Sequence, residues 1–191
     1  MQLLFLFFIF LIWLGGALFF GIVFGIISLI IGLIGFIIKL FLKKYNAKIA
    51  IECAQQYKRK LVPTRLEALK IAENVLIHFH KIRQESLVVL FLDDSNYCVE
   101  VKISFGDECS VEFSPEEILK IANSMNVSKL VVMHNHPDEK PIPSDQDVLY
   151  IANLQNILGD RIKIVDALVW CRGGIKSILN THRFKEMVEN Y

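Results

Sequence analysis

Apolar positions crowd the first fifth of this chain and then spread into periodic patterns. From Met1 to Leu42 the sequence is an almost unbroken run of Leu, Ile and Phe, with Lys39 its single charged side chain. A bilayer core ~30 Å thick needs ~20 helical residues. One helix through all of this segment would run roughly 63 Å at 1.5 Å per residue. The length therefore predicts a transmembrane segment over residues 1–42 made of two helices, with a glycine-assisted turn between Gly15 and Gly25. A single membrane helix is the other arrangement. Gly21 and Gly25, then Gly32 and Gly35, would let such helices approach closely. A cleavable signal peptide is disfavoured, because the start carries no positive charge, the run is too long and no small-residue cleavage site stands out.

Beyond Leu42 the pattern turns polar. Lys43, Lys44, Lys48, Lys58, Arg59 and Lys60 mark a basic juxtamembrane linker, residues 43–63, that Pro63 closes. Thr64-Arg65-Leu66-Glu67 is a capping box. Leu69, Ala72, Leu76 and Phe79 form an apolar stripe at helical spacing, with Ile71, Val75 and Ile82 beside it, so a helix is expected to lie on the next domain. Strands follow at 87–92 and 97–103, joined by the turn-rich Asp93-Asp94-Ser95-Asn96. Ser114-Pro115 starts a helix. Lys129–Met133 is a short β-branched-rich run and reads as a buried strand. Ser144 caps a helix over Asp145–Leu158, which Gly159 stops. Strands near 161–170 and 174–179 flank the turn Cys171-Arg172-Gly173-Gly174, and a short helix is expected from His182. This order predicts an α/β sandwich, a mixed sheet flanked by helices, over residues 64–191, which is enough chain for one core.

Charge adds an orientation. Residues 1–84 hold 11 Lys+Arg against 3 Asp+Glu, and residues 85–191 hold 10 against 17. Positive residues flanking a span stay on the cytoplasmic side. The expected location is thus an integral membrane protein with its carboxyl-terminal domain in the cytoplasm. The same lysines can lie against anionic lipid headgroups. Cys53, Cys98, Cys109 and Cys171 show no Cys-x-x-Cys spacing and read as reduced packing residues.

The candidate chemistry sits at 134–147. His134-Asn135-His136-Pro137 follows the buried run, and Ser144 and Asp147 come after a stiff loop with prolines at 137, 141 and 143. In extended backbone, side chains at i and i+2 point to one side, so both imidazoles can face one point. Asp147, in the first turn of the next helix, can reach back toward them. Two histidines and a carboxylate with one open position form the pattern of a catalytic zinc site. His78 and His80 also form a His-x-His pair, but inside a helix i and i+2 face apart, so they read as surface or satisfied histidines.

His134-x-His136-x7-Ser144-x-x-Asp147 resembles the signature of the JAB/MPN (JAMM) metalloprotease family. The His-Asn-His-Pro form and the Pro143-Ser144 pair are similar to its RadC-like branch. Glu85 to Asp93 resembles that branch's first strand, Gly106 its glycine after the second strand, and Ser114-Pro115-Glu116-Glu117-Ile118 its following helix start. The resemblance covers about residues 83–180. It implies Zn2+ held by His134, His136 and Asp147, a catalytic glutamate at Glu85 and an oxyanion-stabilising Ser144. Glu100 is the rival for the base. Such a base takes a proton from the metal-bound water and returns it to the leaving amine. Two departures stand out. Asp166-Ala167 replaces the branch's Asp-His, and Asp138-Glu139 follow Pro137 where it carries Ser-Gly.

These readings lead to a membrane-anchored zinc peptidase or isopeptidase. Its partners would be membrane lipid and a peptide or protein substrate, ubiquitin-like proteins among the candidates. The oligomeric state is not legible. One alternative is a nucleic-acid-associated protein, since the RadC-like branch has been linked with DNA repair, although an acidic domain suits phosphate poorly. The other is a catalytically inactive, membrane-tethered binding module.

Overall fold

The computed structural model describes residues 2–80, 85–106, 113–137 and 140–189. Ile82, Cys109, Asp138 and Glu139, and the side chains of Ala72, Phe79 and His80, lie outside the described set. The chain divides into two compact units, Met1–Leu42 and Lys43–Tyr191.

The first helix, α1, spans Gln2–Gln55 without interruption. It replaces the two helices expected from the apolar run, and no turn occurs between Gly15 and Gly25. Glycine weakens a helix by about 1 kcal/mol relative to alanine but keeps its amide hydrogen bond. Residues 1–42 contain no proline to remove one. Within the first unit Trp13, Phe19, Phe24, Leu29 and Phe41 are each more than 60% exposed. The helix is long and apolar enough to cross a membrane by length and composition.

In the second unit, the residues expected as a linker are largely helical. The end of α1 places Ala47, Ala50, Cys53 and Ala54 against the domain core. Ala47, Ala50 and Ala54 recur at helical spacing, and their small side chains let this part of α1 lie close to its neighbours. Only residues 56–64 connect it to α2, Arg65–His80. Thr64 begins α2 much as its sequence foretold. Its Oγ1 accepts the Glu67 amide at 3.3 Å and donates to Glu67 Oε2 at 2.8 Å.

The remaining elements are β1 Ser86–Leu92, β2 Cys98–Phe105, α3 Pro115–Ser124, β3 Lys129–Asn135, α4 Asp145–Leu158, β4 Lys163–Cys171, β5 Gly174–Ser177 and α5 His182–Glu189. One 3-10 turn, Gly159–Arg161, follows α4. The strands form a mixed sheet in the order β2-β1-β3-β4-β5. Only β3 and β4 run parallel, and α4 crosses between them, as a parallel connection requires. Helices cover both faces, which is the α/β sandwich expected.

Strand alternation divides the core in two. Val88, Leu90, Val131, Met133, Leu168 and Trp170 face α2 and the end of α1. Leu87, Val89, Phe91, Leu130, Val132 and Val169 face α3 and α4. Every residue of β1 is buried, because strands flank it on both sides and helices lie above and below. This explains why its sequence, Ser-Leu-Val-Val-Leu-Phe-Leu, shows no alternation.

Two polar clusters tie the α2-side layer to the sheet. Lys58 Nζ lies 2.8 Å from Glu100 Oε2. Arg65 pairs with the buried Asp166 carboxylate, which also accepts the Ser177 hydroxyl at 2.6 Å. Burial, and then the negative charge of Glu100, push the Cys98 thiol up to about 12. The nucleophilic thiolate is therefore scarce at ordinary pH. Alkylation of the native protein at pH 8 should modify the half-buried Cys53 and spare the buried Cys98 and Cys171. Mass mapping before and after denaturation checks this, and native labelling of Cys98 would contradict it.

Candidate metal centre

The site is built first by the end of β3. His134 is the penultimate residue of that strand, not a residue beyond it as the apolar run had implied. The strand extends because partners continue on both sides: His134 pairs with Leu87 of β1 and Val169 of β4. His136 follows directly, and its amide donates to the Trp170 carbonyl at 2.9 Å. That bond keeps the chain extended for one more step. The two Nε2 atoms come within 3.1 Å of each other.

The third group comes from α4. Ser144 Oγ accepts the Asp147 amide at 3.2 Å, and Asp147 Oδ2 accepts the Ser144 amide at 2.6 Å. This reciprocal cap satisfies two amides that a helix start otherwise leaves open. It also aims the carboxylate. Asp147 Oδ1 lies 3.0 Å from His134 Nε2, and Oδ2 lies 3.2 Å from His136 Nε2. Burial raises the Asp147 pKa, but hydrogen bonds from His134 and His136, the charge of His134 and the bond to Ser144 outweigh it. The net effect holds this carboxyl far below the usual carboxylate range.

Glu85 stands just before β1. Its Oε1 lies 3.8 Å from His136 Nε2. Glu100, the rival base, pairs across the sheet with Phe91, whereas His134 pairs with Leu87. Four residues of strand, roughly 13 Å, separate those positions, and Glu100 is engaged by Lys58. The structure thus gathers Glu85, His134, His136, Ser144 and Asp147 and leaves Glu100 elsewhere. The side chain of His134 is 7% exposed, while those of His136, Glu85 and Asp147 keep 13, 14 and 16%, so solvent reaches the space between them.

This donor set fits a small divalent ion. Ligand atoms ~2.0–2.2 Å from a tetrahedral zinc stand ~3.3–3.6 Å from one another, slightly more than the 3.0–3.2 Å separations among the two imidazoles and the two Asp147 oxygens. Ligand atoms of Glu85, His134 and His136 also lie within 4.8 Å of one another. Glu85 is set further back, its Oε1 3.8 Å from His136 Nε2.

Comparison with known proteins gives the family of the domain that carries this site. The RadC-like JAB domain matches residues 66–183. The chain belongs to that family. Similar proteins include a UPF0758 protein of Clostridium beijerinckii, 32% identical over 103 residues, covering 52% of this chain and 44% of that protein. A UPF0758 protein of Streptococcus pyogenes is 31% identical over 103 residues, covering 53% of this chain and 46% of its own length. The matched part of this RadC-like chain thus spans about half the length of the curated relatives.

Three residues of this RadC-like JAB domain gain meaning only from the fold. Asp166 lies on the α2 side of the sheet, bound by Arg65 and Ser177, on the face opposite His134. Ala167 is fully buried on the α4 side and pairs with Val132, one pleat below His134. The third is Asn135, a spacer in the His-x-His motif. It is wholly buried, and its Oδ1 accepts the Ser86 amide at 3.0 Å. Strand alternation carried the clue, since two histidines on one face send the residue between them to the other.

Because Ser144 closes the cap of α4, its loss should weaken the fold apart from any chemistry. Ser144→Ala is expected to cost about 1 kcal/mol of stability. Thermal denaturation in the presence of a chelator measures that cost without a metal contribution. An unchanged midpoint would show that the cap is dispensable.

Proposed function

We infer that this chain is a membrane-anchored, zinc-dependent metallohydrolase that cleaves a peptide or isopeptide bond. The observation that supports it best is the convergence of His134, His136 and Asp147 at 3.0–3.2 Å with Glu85 beside them. A zinc ion held by the first three would acidify a water molecule and polarise the scissile carbonyl. Glu85 takes the proton from the attacking water and returns it to the leaving amine. The Ser144 hydroxyl donates to the oxyanion of the tetrahedral intermediate, a contribution of roughly 3 kcal/mol in comparable sites. His134, bound on both sides within the sheet, holds its imidazole in place.

The apolar part of α1 is read as the anchor, one transmembrane helix rather than two. Residues 64–191 form the hydrolase domain. Lys43 and Lys44, both exposed, would stay on the cytoplasmic side and meet anionic headgroups. The substrate would be a cytoplasmic peptide or protein, with ubiquitin-like tails among the candidates. Nucleic acid suits the domain poorly, since residues 85–191 carry 10 Lys+Arg against 17 Asp+Glu.

Metal analysis of the full chain purified in detergent should find one zinc per chain. Asp147→Asn should lower zinc affinity by more than the roughly 10–100-fold that an outer-shell partner costs. A zinc-free wild-type chain, or an Asp147→Asn variant that binds equally well, would remove the metal centre. Glu85→Gln should keep its zinc and lose about 10²–10⁴-fold in hydrolysis of peptide and isopeptide test substrates. Undiminished turnover would place the base elsewhere.

A further inference from the structure

We propose that Asn135, between the two histidines, is a positioning residue that sets the Glu85 carboxylate. The proposal rests on the metallohydrolase reading and adds to it a residue outside the ligand set. Alternation along β3 turns the Asn135 side chain away from the imidazoles, onto the face where Met133 and Trp170 lie. Asn135 is 0% exposed there. A buried primary amide needs hydrogen-bond partners, and Asn135 Oδ1 accepts the Ser86 amide at 3.0 Å.

The other end of the same peptide unit is held as well. The Glu85 carbonyl accepts the Gly106 amide at 3.0 Å. The plane joining Glu85 to Ser86 is therefore clamped at its oxygen by the exit of β2 and at its nitrogen by Asn135. A peptide unit is rigid, so a plane gripped at both ends cannot turn about the backbone torsions on either side. Those torsions decide where the Glu85 side chain leaves the backbone, and its carboxylate sits 3.8 Å from His136 Nε2. Preorganised charge beside a reacting centre depends on such outlying supports. One short segment thus supplies two imidazoles on one face and, from the other face, the support for the carboxylate opposite them.

The test uses the full-length chain in detergent, loaded with Co2+, with azide as the probe of the open position and the cobalt visible spectrum as the readout. Glu85→Gln removes a like charge beside the candidate metal centre and should tighten azide binding on the order of fivefold. Asn135→Leu and Asn135→Ala delete the acceptor and free the carboxylate. Each should bind cobalt as the parent does and tighten azide at least about twofold, a part of that electrostatic effect. Asn135→Asp keeps the acceptor and should not tighten it. Adding Asn135→Leu to Glu85→Gln should tighten azide no further, because both changes act through one group. Parent-like azide affinity in the Leu and Ala variants, or their full effect persisting on top of Glu85→Gln, overturns the proposal. If both variants fail to fold while Asn135→Asp folds and binds cobalt, Asn135 serves stability alone and the proposal is again overturned. A parent chain that binds no cobalt refutes the metal centre itself, and the proposal falls with it by a separate result.

Discussion

The antiparallel pairing of β1 with β3 is the constraint on which the site rests. Leu87 faces His134 and Ser86 faces Asn135. One further step in that register puts Glu85 opposite His136, in keeping with their 3.8 Å separation. A strand repeats every two residues, so a slip of one would either send His134 into the α2-side core or turn Glu85 away from it. Two apolar layers resist that slip. Val88 and Leu90 belong on one side and Leu87, Val89 and Phe91 on the other, and all are essentially buried.

The second constraint is the start of α4. Ser144 and Asp147 close a cap whose acceptor is also the carboxylate that meets both imidazoles. Local helix chemistry and the candidate metal centre use the same atoms. Val148, Ile151, Leu154 and Leu158 lock the rest of α4 to the sheet. The carboxylate is therefore held by a packed helix, although its loop neighbours belong to the surface. Its depressed pKa follows from the same contacts: donors surround it on three sides and outweigh its burial.

Membership of the RadC-like JAB family sets the frame within which this chain differs. Where the branch is expected to carry Asp-His, Ala167 fills a fully buried position. Its neighbour Asp166 is taken up by Arg65 at the start of α2. That acid serves the attachment of α2 to the sheet, away from the histidines. The long apolar α1 lies outside the part matched to the family. Its exposed Phe, Leu and Trp side chains form a surface that water solvates poorly.

Much of the architecture was legible in one dimension. Ser114 and Ser144 marked helix starts, Gly159 a stop, and the β-branched runs the strands, because caps, glycine conformations and periodicity are local properties. The spacing of the candidate ligands was equally plain, and so was the apolar segment. The break in that segment was misjudged because length alone argued for it, while no residue there removes a backbone bond. Sequence also left Glu85 and Glu100 as rivals, placed His134 outside its strand, and passed over Asn135. Each of those answers depends on which strand lies beside which and in what register. Pairing between β1 and β3 joins residues nearly fifty positions apart, and only the burial of both faces of the sheet selects it.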